Sequence, residues 1–228
     1  MVSIVVPILN EEKVLPRLGE NLRRLSGPKE VLFVDGHSSD RSAEIASDFG
    51  RVLVSARGRA RQMNTGAAEA SGDILFFLHA DCLLPTDALG AIERALCNRE
   101  VVGGCLTQTY APHVRTPMFK WIALSGALRA RICRTFYGDQ GIFCRREVFA
   151  AAGGYPEQEI FEDVVFSKRL GRCGLTTVLS TPIVCSPRRW REHGLLRTTL
   201  VNYRVQLGWM LNGRAKHLAG LYQSTDVR

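Results

Sequence analysis

His79 and Asp81 stand two residues apart at the end of an apolar run, residues 74–78, that contains only Ile, Leu and Phe. If this run is a buried strand, side chains two positions apart point to the same side, so both reach one point at its carboxyl end. Imidazole and carboxylate groups bind divalent ions such as Mn²⁺ or Mg²⁺, and such an ion would hold a phosphorylated ligand. The alternative is a hydrogen-bonded histidine followed by a turn aspartate.

Two more polar clusters follow predicted strands. Pro7, Asn10 and Glu11 come after the first strand, and Asp35 begins a turn rich in Gly and Ser after the second. Because parallel strands end at the same edge of a sheet, these side chains are expected near His79 and Asp81. The alternatives are a helix cap for Asn10 and Glu11 and an ordinary turn for Asp35.

A basic cluster marks the start of the third predicted helix. Arg57, Arg59 and Arg61 alternate there, with Asn64 close behind. A helix N-terminus already favours anions, so three cations in one place indicate an anionic ligand unless they are simply solvated. The chain has no Gly-x-Gly-x-x-Gly after the first strand and no Gly-Lys-[Ser/Thr], which argues against dinucleotide oxidoreductases and P-loop nucleotidases.

Composition and charge narrow the class of protein. The 228 residues are 46% hydrophobic and 23% charged, which is typical of a globular domain. The seven cysteines form no Cys-x-x-Cys pair, no apolar run could span a bilayer, and residues 1–7 read as a strand rather than a signal peptide. We therefore expect a cytoplasmic protein with reduced thiols, in free solution or at the inner face of the membrane.

The net charge of +8 is concentrated in the second half of the chain. Residues 1–112 carry a net charge of −2, and residues 113–228 a net charge of +10. A basic half favours an anionic partner, which is either a phosphorylated substrate, an anionic membrane surface or a nucleic acid. No nucleic-acid-binding signature is present and few aromatic residues accompany the arginines, so we expect no nucleic-acid partner.

The elements that must position these residues alternate in the first half. Strand patterns cover residues 2–9, 30–35, 51–55 and 73–78. Helix patterns cover residues 11–25, 40–49, 58–70 and 85–97. This order predicts a parallel sheet with right-handed crossovers, and the absence of a linker favours one α/β domain over residues 1–228.

The second half is less regular. Strand patterns cover residues 101–110, 137–143 and 176–184, and helix patterns cover residues 117–132, 161–172 and 195–211. Apolar and basic residues alternate in the last helix, where they are Leu195, Leu196, Arg197, Leu200, Val201, Arg204, Leu207, Trp209, Leu211 and, just beyond, Arg214. We favour a helix that covers the core or a homodimer interface, with peripheral membrane contact or a lipid-linked acceptor as minority interpretations.

The order and spacing of these motifs resemble those of family 2 glycosyltransferases, over nearly the whole chain. The matching segments are residues 5–11 (Val-Val-Pro-x-x-Asn-Glu), 34–40 (Val-Asp-Gly-x-Ser-Ser-Asp), 161–163 (Phe-Glu-Asp) and 189–190 (Arg-Trp). The family usually has Asp-x-Asp where this chain has His-Ala-Asp at residues 79–81. The chain thus looks like a small bacterial subgroup. A neutral histidine removes one negative charge, which favours Mn²⁺ over Mg²⁺, although His79 could also contact only phosphate.

The resemblance implies a GT-A type α/β domain with a mostly parallel central sheet flanked by helices. Residues 1–112 would bind a nucleotide sugar, and residues 113–228, with the C-terminal amphipathic helix, would bind the acceptor. The implied reaction is inverting transfer of the sugar of a UDP- or GDP-sugar to a hydroxyl of a small molecule, glycan or lipid-linked acceptor. A divalent metal, Mn²⁺ or Mg²⁺, is implied as cofactor.

The resemblance also assigns roles to residues. Asp163 matches the general base, with Glu162 as the second choice, and the metal ligands are Asp81 and His79. The implied nucleotide-sugar site contains Pro7, Asn10, Glu11, Asp35, Arg59, Arg61, Asn64, His79, Ala80 and Asp81. The implied acceptor and sugar side contains Gly138, Asp139, Gln140, Arg189 and Trp190.

Two alternatives to a glycosyltransferase stay open. A nucleotidyltransferase can share a nucleotide-binding α/β sheet, but it is expected to carry a Gly-rich, Lys-containing loop where this chain has Asn10, Glu11 and Glu12. The other alternative is a sugar-nucleotide-binding protein without catalytic activity.

Overall fold

The structure, a computed structural model, describes residues 1–114 and 116–212, and the side chains of this part as far as residue 209. The side chain of Leu211 and the whole of Arg214, which were counted with the last predicted helix, lie outside the described residues. Among the helices that are described, none is at once long enough and apolar enough to cross a bilayer.

Strands and helices follow one another in the predicted order. The strands are β1 (Val2–Ile8), β2 (Lys29–Asp35), β3 (Arg51–Val54), β4 (Ile74–Phe77), β5 (Cys82–Leu83), β6 (Val101–Tyr110), β7 (Ile142–Arg145) and β8 (Leu175–Cys185). The helices are α1 (Leu15–Arg23), α2 (Ser42–Ser47), α3 (Arg59–Glu69), α4 (Ala88–Cys97), α5 (Pro117–Cys133), α6 (Arg146–Ala151), α7 (Glu162–Cys173), α8 (Arg188–His193) and α9 (Leu195–Asn212).

The described strands form one eight-stranded sheet in the order β3-β2-β1-β4-β7-β6-β8-β5. The first four strands are parallel, as predicted, with β1 between β2 and β4. Strand β7 is antiparallel to both β4 and β6, and β8 is parallel to β6, so the second half of the sheet is mixed. Helices cover both faces, which confirms the predicted α/β class.

The residues of β1 explain why helices cover both faces of the sheet. Ile4 and Val6 point to one face, where they join a cluster with Leu18 of α1. Val5 points to the other face, where it joins a cluster with Met63 of α3. Strand residues alternate in direction, so a strand that is apolar at nearly every position needs cover on both sides.

The prediction of one continuous strand over residues 137–143 is wrong in its first half. Residues Gly138–Gln140 form a 3₁₀ turn, and only Ile142–Arg145 pairs in the sheet. The Gln140 side chain stabilises the turn because its Oε1 accepts the Tyr137 N–H at 3.0 Å. The short elements β5, α6 and α8 were not predicted, because two to six residues are too few to show a period.

Gly66 provides a test of the packing that places α3, and with it Arg59, against the sheet. A Cβ at this position would lie 2.4 Å from Val5 Cγ1 and 2.9 Å from Val34 Cγ2. We expect Gly66→Ala to lower the free energy of unfolding by about 1–3 kcal/mol, because overpacking outweighs the better helix propensity of alanine. Urea denaturation measures this difference.

Gly171 in α7 is the matched control. A Cβ there would meet no atom within 4 Å, so Gly171→Ala should raise the free energy of unfolding by up to about 1 kcal/mol. A Gly66→Ala protein as stable as the Gly171→Ala protein would contradict the close contact between α3 and β1.

Candidate active site

A cleft of about 480 Å³ opens at the carboxyl ends of β1 and β4 and is closed on the other side by α5, α7, α8 and α9. Of the seventeen residues predicted for the site, all within the described part, twelve line this cleft: Pro7, Glu11, Arg59, His79, Ala80, Asp81, Gly138, Asp139, Glu162, Asp163, Arg189 and Trp190. Residues from both halves of the chain, from Pro7 to Trp190, thus face one space.

Asp81 lies at the base of the cleft with Glu11 and Arg188. Arg188 forms a bidentate ion pair with Glu11, with N–O distances of 3.0 and 3.1 Å. Burial and the nearby Glu11 raise the pKa of Asp81, whereas Arg188 and Arg59 oppose this rise. Two carboxylates here share the charge of one arginine, so the excess negative charge favours a cation at this point.

His79 is a neutral imidazole. Burial, with a further contribution from the cation of Arg59, lowers the pKa of His79 to about 3. Its Nε2 is buried and has no hydrogen-bond partner. Nε2 faces Gly138 so closely that a Cβ on that residue would lie 2.3 Å away, so glycine is required at this position.

Glu162 and Asp163 begin α7 and are held in different ways. Glu162 is buried and pairs with Arg59 at 3.4 Å. Asp163 accepts two main-chain hydrogen bonds of 2.7 Å, from Gly138 N–H and Val164 N–H. Burial raises the pKa of Glu162 to about 7, against the opposing effect of Arg59, and burial also raises the pKa of Asp163.

The environment of the Asp139 carboxylate is set by Gln108 and Arg129, two residues that were not predicted from the sequence. Its Oδ2 accepts a hydrogen bond of 2.6 Å from Gln108, while its Oδ1 is buried without a partner. Burial raises the pKa of Asp139, and Arg129 opposes this rise from above the Tyr137 ring, 3.6 Å from the ring centroid. Gln108 lies in β6 and Arg129 in α5, and no sequence motif marks either residue.

A pair of thiols closes the cleft floor behind Asp139. Cys82 and Cys185 face each other across β5 and β8 with 3.5 Å between their sulfur atoms. The Cys185 thiol donates to the Asp139 carbonyl oxygen at 3.0 Å. The pKa of Cys82 is raised by its contact with Cys185 and by burial, so this thiol stays protonated and is a packing group rather than a nucleophile.

Trp190 is a wall of the cleft rather than a mobile cover. Its ring meets Tyr110 and Phe119 edge-on, each with 5.8 Å between centroids, and its Nε1 donates to Thr199 at 3.3 Å. Arg189, next to it on α8, lines the cleft. Arg188, which precedes this pair and also lines the cleft, was not among the predicted site residues.

Two predicted nucleotide-sugar residues, Asn10 and Asp35, lie beside the cleft and connect its loops. Asn10 Oδ1 accepts the Ser39 N–H at 2.8 Å, and Asn10 has the left-handed backbone conformation with φ of 54°. Asp35 accepts the Ser38 N–H at 3.0 Å. Both therefore shape the two loops that follow β1 and β2.

Three other predicted residues lie outside the cleft lining. Asn64 bonds at both ends of its amide to the main chain of Tyr155, with distances of 2.9 Å. Arg61 pairs with Glu157 at 2.8 Å on the surface. Gln140 is fully buried and accepts from Tyr137 and Arg129.

Comparison with known proteins identifies the family. The family model described as "Glycosyl transferase family 2" matches residues 3–149. The chain belongs to this family. This membership supports the resemblance found in the sequence over the nucleotidyltransferase alternative. Membership of a His-Ala-Asp subgroup stays a prediction.

Two curated relatives agree with this assignment. A PGL/p-HBAD biosynthesis glycosyltransferase of Mycobacterium bovis (strain BCG / Pasteur 1173P2) is 30% identical over 218 residues, which cover 89% of this chain and 81% of the relative. The probable glycosyltransferase YdaM of Bacillus subtilis (strain 168) is 24% identical over 198 residues, or 76% of this chain. The match covers 47% of YdaM, so the chain spans about half of that relative.

A solved structure confirms the GT-A type fold. The mannosyltransferase PcManGT from Pyrobaculum calidifontis, in complex with GDP-Man and Mn²⁺, superposes with a TM-score of 0.68 at 20% identity. The superposition covers 98% of this chain and 68% of that chain. The mixed second half of the sheet therefore belongs to the fold.

Asn64 provides a test of which predicted residues contact a ligand. Asn64→Ala removes both hydrogen bonds to Tyr155 and should lower the free energy of unfolding by about 1–3 kcal/mol, since main-chain groups lose their partners. Binding of UDP or GDP, measured by calorimetry, should be unchanged. A variant of normal stability that loses nucleotide binding would instead show direct contact, as the sequence analysis expected.

Proposed function

We propose that the protein transfers a sugar, with inversion, from a UDP- or GDP-sugar to an acceptor hydroxyl, with Asp163 as general base and a divalent metal as cofactor. One observation carries the assignment of the base. Asp163 lines the cleft and is held by main-chain N–H groups, whereas the neighbouring Glu162 is paired with Arg59. A carboxylate oriented in this way is ready to accept a proton.

The donor is proposed to bind at the end of the cleft formed by residues 1–112. Arg59 and Arg188, which pairs with Glu11, line that end, and guanidinium groups bind diphosphate oxygens strongly. The PcManGT structure, a complex with GDP-Man, has the same fold and supports a nucleoside-diphosphate sugar as donor. These arginines already form ion pairs with carboxylates of the cleft. A bound diphosphate would therefore take the place of some of those carboxylates as partner of the arginines.

Asp81 and His79 are proposed to hold the metal ion. Within the described residues no group of three or more His, Cys, Asp or Glu side chains could hold an ion alone. The residues present nevertheless fit a site that is completed by the donor, because Asp81 offers a carboxylate to the cleft and the neutral His79 has an unpartnered nitrogen. When bound, the metal would act as a Lewis acid that stabilises charge on the leaving diphosphate.

The chain's own residues account for the proton and the orientation. The acceptor oxygen attacks the anomeric carbon on the face opposite the diphosphate, the bond to the diphosphate breaks, and the acceptor proton moves to Asp163. Gly138 N–H fixes the Asp163 carboxylate at 2.7 Å. Asp139, Arg189 and Trp190 are proposed to bound the acceptor side, formed by residues 113–228.

Two substitutions separate chemistry from binding. Asp163→Asn should lower kcat by about 100- to 10,000-fold with donor affinity unchanged, because it removes only the base. Asp81→Ala should abolish Mn²⁺-dependent donor binding. Donor affinity is measured by calorimetry with and without Mn²⁺, and turnover by release of nucleoside diphosphate.

Asp87→Asn, at an exposed position outside the cleft, is the matched control and should leave both quantities unchanged. Equal loss of donor binding in Asp163→Asn and Asp81→Ala would refute this division of roles. Failure of every UDP- and GDP-sugar to be consumed by the unaltered protein would refute the proposed function itself.

The pH dependence of turnover tests the acidic pair. Turnover should fall as the pH is lowered, with an acidic limb above the usual range of an aspartate, because burial raises the pKa of Asp163 and the base must be ionised. Glu162→Gln removes a negative charge next to Asp163, so the pKa of Asp163 should fall and the acidic limb should move to lower pH. A limb that stays in place in the Glu162→Gln protein contradicts the coupling.

A further inference from the structure

Helix α5 is apolar on both of its sides. Its inner side packs on the core through Phe119. Its outer side carries Trp121, Leu124, Leu128 and Ile132, which recur at helical spacing and are each more than half exposed. Packing among the residues that the structure describes accounts for the inner side only.

Helix α9 carries a second row of the same kind. Leu196, Leu200, Tyr203 and Leu207 follow a spacing of four, three and four residues, and all four side chains are exposed. The opposite side of α9 is buried through Thr198 and Val205. The outward row is therefore distinct from the side of the helix that covers the core.

The two rows form one surface, which we call the α5–α9 face. The rings of Trp121 and Tyr203 lie 5.5 Å apart, and Ser125 Oγ lies 3.3 Å from the Tyr203 hydroxyl. Among side chains that the structure describes, eight of the eleven large apolar ones that are exposed belong to this face. A concentration of this kind indicates a binding surface rather than scattered exposed residues.

The charges on the α5–α9 face are all of one sign. Neither helix contains an aspartate or glutamate. Their exposed charged residues are Lys120 and Arg131 on α5 and Arg197 and Arg204 on α9. A second copy of the chain docking here would bring two basic surfaces together, whereas an anionic lipid surface is complementary to both the apolar rows and the cations.

We infer that the α5–α9 face docks on an anionic lipid bilayer, with the apolar rows in the interface and the four basic residues against the headgroups. The same helices line the cleft through Arg129 and Tyr203, so docking places the acceptor side of the cleft at the bilayer surface. An acceptor with a lipid tail would then be reached without leaving the membrane. This last point rests on the proposed function, whereas the docking itself does not.

Sedimentation with vesicles tests the docking without donor, acceptor or turnover. The full chain should bind vesicles of phosphatidylcholine mixed with phosphatidylglycerol and bind weakly to phosphatidylcholine alone. Arg197→Gln/Arg204→Gln should weaken binding to the mixed vesicles about 25-fold, from about fivefold for each cation. Leu200→Gln/Leu207→Gln should weaken it at least about tenfold, because two inserted apolar side chains are lost.

Matched controls come from the opposite part of the chain. Val54→Gln changes an apolar side chain as exposed as Leu200, both at 63%, and Arg17→Gln/Arg24→Gln removes two exposed cations of the first half. Both controls should bind vesicles like the unaltered chain. Thermal unfolding of each variant shows that it is folded, as expected for changes to exposed side chains.

Three results would overturn the inference. The first is the absence of binding of the full chain to mixed vesicles, and the second is equal binding to the two kinds of vesicle. The third is a dimer in lipid-free solution that Leu200→Gln/Leu207→Gln converts to a monomer, since the face would then join two copies. Loss of vesicle binding with intact transfer to a soluble acceptor, in either face variant, supports docking and leaves the proposed function standing.

Discussion

The site depends on the close approach of the Gly138 main chain to two functional side chains. The Gly138 N–H orients the Asp163 carboxylate. The His79 imidazole occupies the space that a side chain at position 138 would take. The 3₁₀ turn that presents Gly138 therefore connects the carboxyl end of β4 to the N-terminus of α7. Any larger residue would separate these two ends, so one glycine sets the distance between the proposed metal site and the proposed base.

Electrostatic balance is the second constraint on the cleft. Carboxylates from four separate segments, Glu11, Asp81, Asp139 and Glu162–Asp163, face one space, and burial raises the pKa of each of the last four. Two arginines offset the electrostatic cost of burying these carboxylates: Arg188 pairs with Glu11, and Arg59 pairs with Glu162. Such a cluster is stable only when its positive and negative charges nearly cancel. A metal–diphosphate ligand changes the net charge little, because the metal is positive and the diphosphate is negative.

The sequence predicted the parallel half of the sheet and the residues at its carboxyl edge, because β1, β2 and β4 are apolar runs that end in polar residues. The contacts of individual polar residues could not be predicted in the same way, because a polar side chain can bond to the main chain as well as to a ligand. Asn64 and Gln140 look like site residues in the sequence, yet they bond to Tyr155 and Tyr137. Conversely, Gln108 and Arg129 act on Asp139, but nothing in the sequence of β6 or α5 distinguishes them from residues of an ordinary strand and helix. The mixed pairing of β6, β7 and β8, which the sequence did not predict, brings them together.

Site and surface are coupled through the aromatic packing of the second half. The rings of Tyr110 in β6, Phe119 in α5 and Trp190 in α8 pack together in T-shaped and tilted contacts. Trp190 also donates a hydrogen bond to Thr199 of α9. These contacts fix both helices of the α5–α9 face relative to the sheet and to the turn before β7 that contains Gly138 and Asp139. Because the same rigid cluster supports the cleft wall and the outer face, a force that orients the face on a surface also orients the acceptor side of the cleft. The fold therefore joins the cleft to the face that is proposed to dock on a lipid surface.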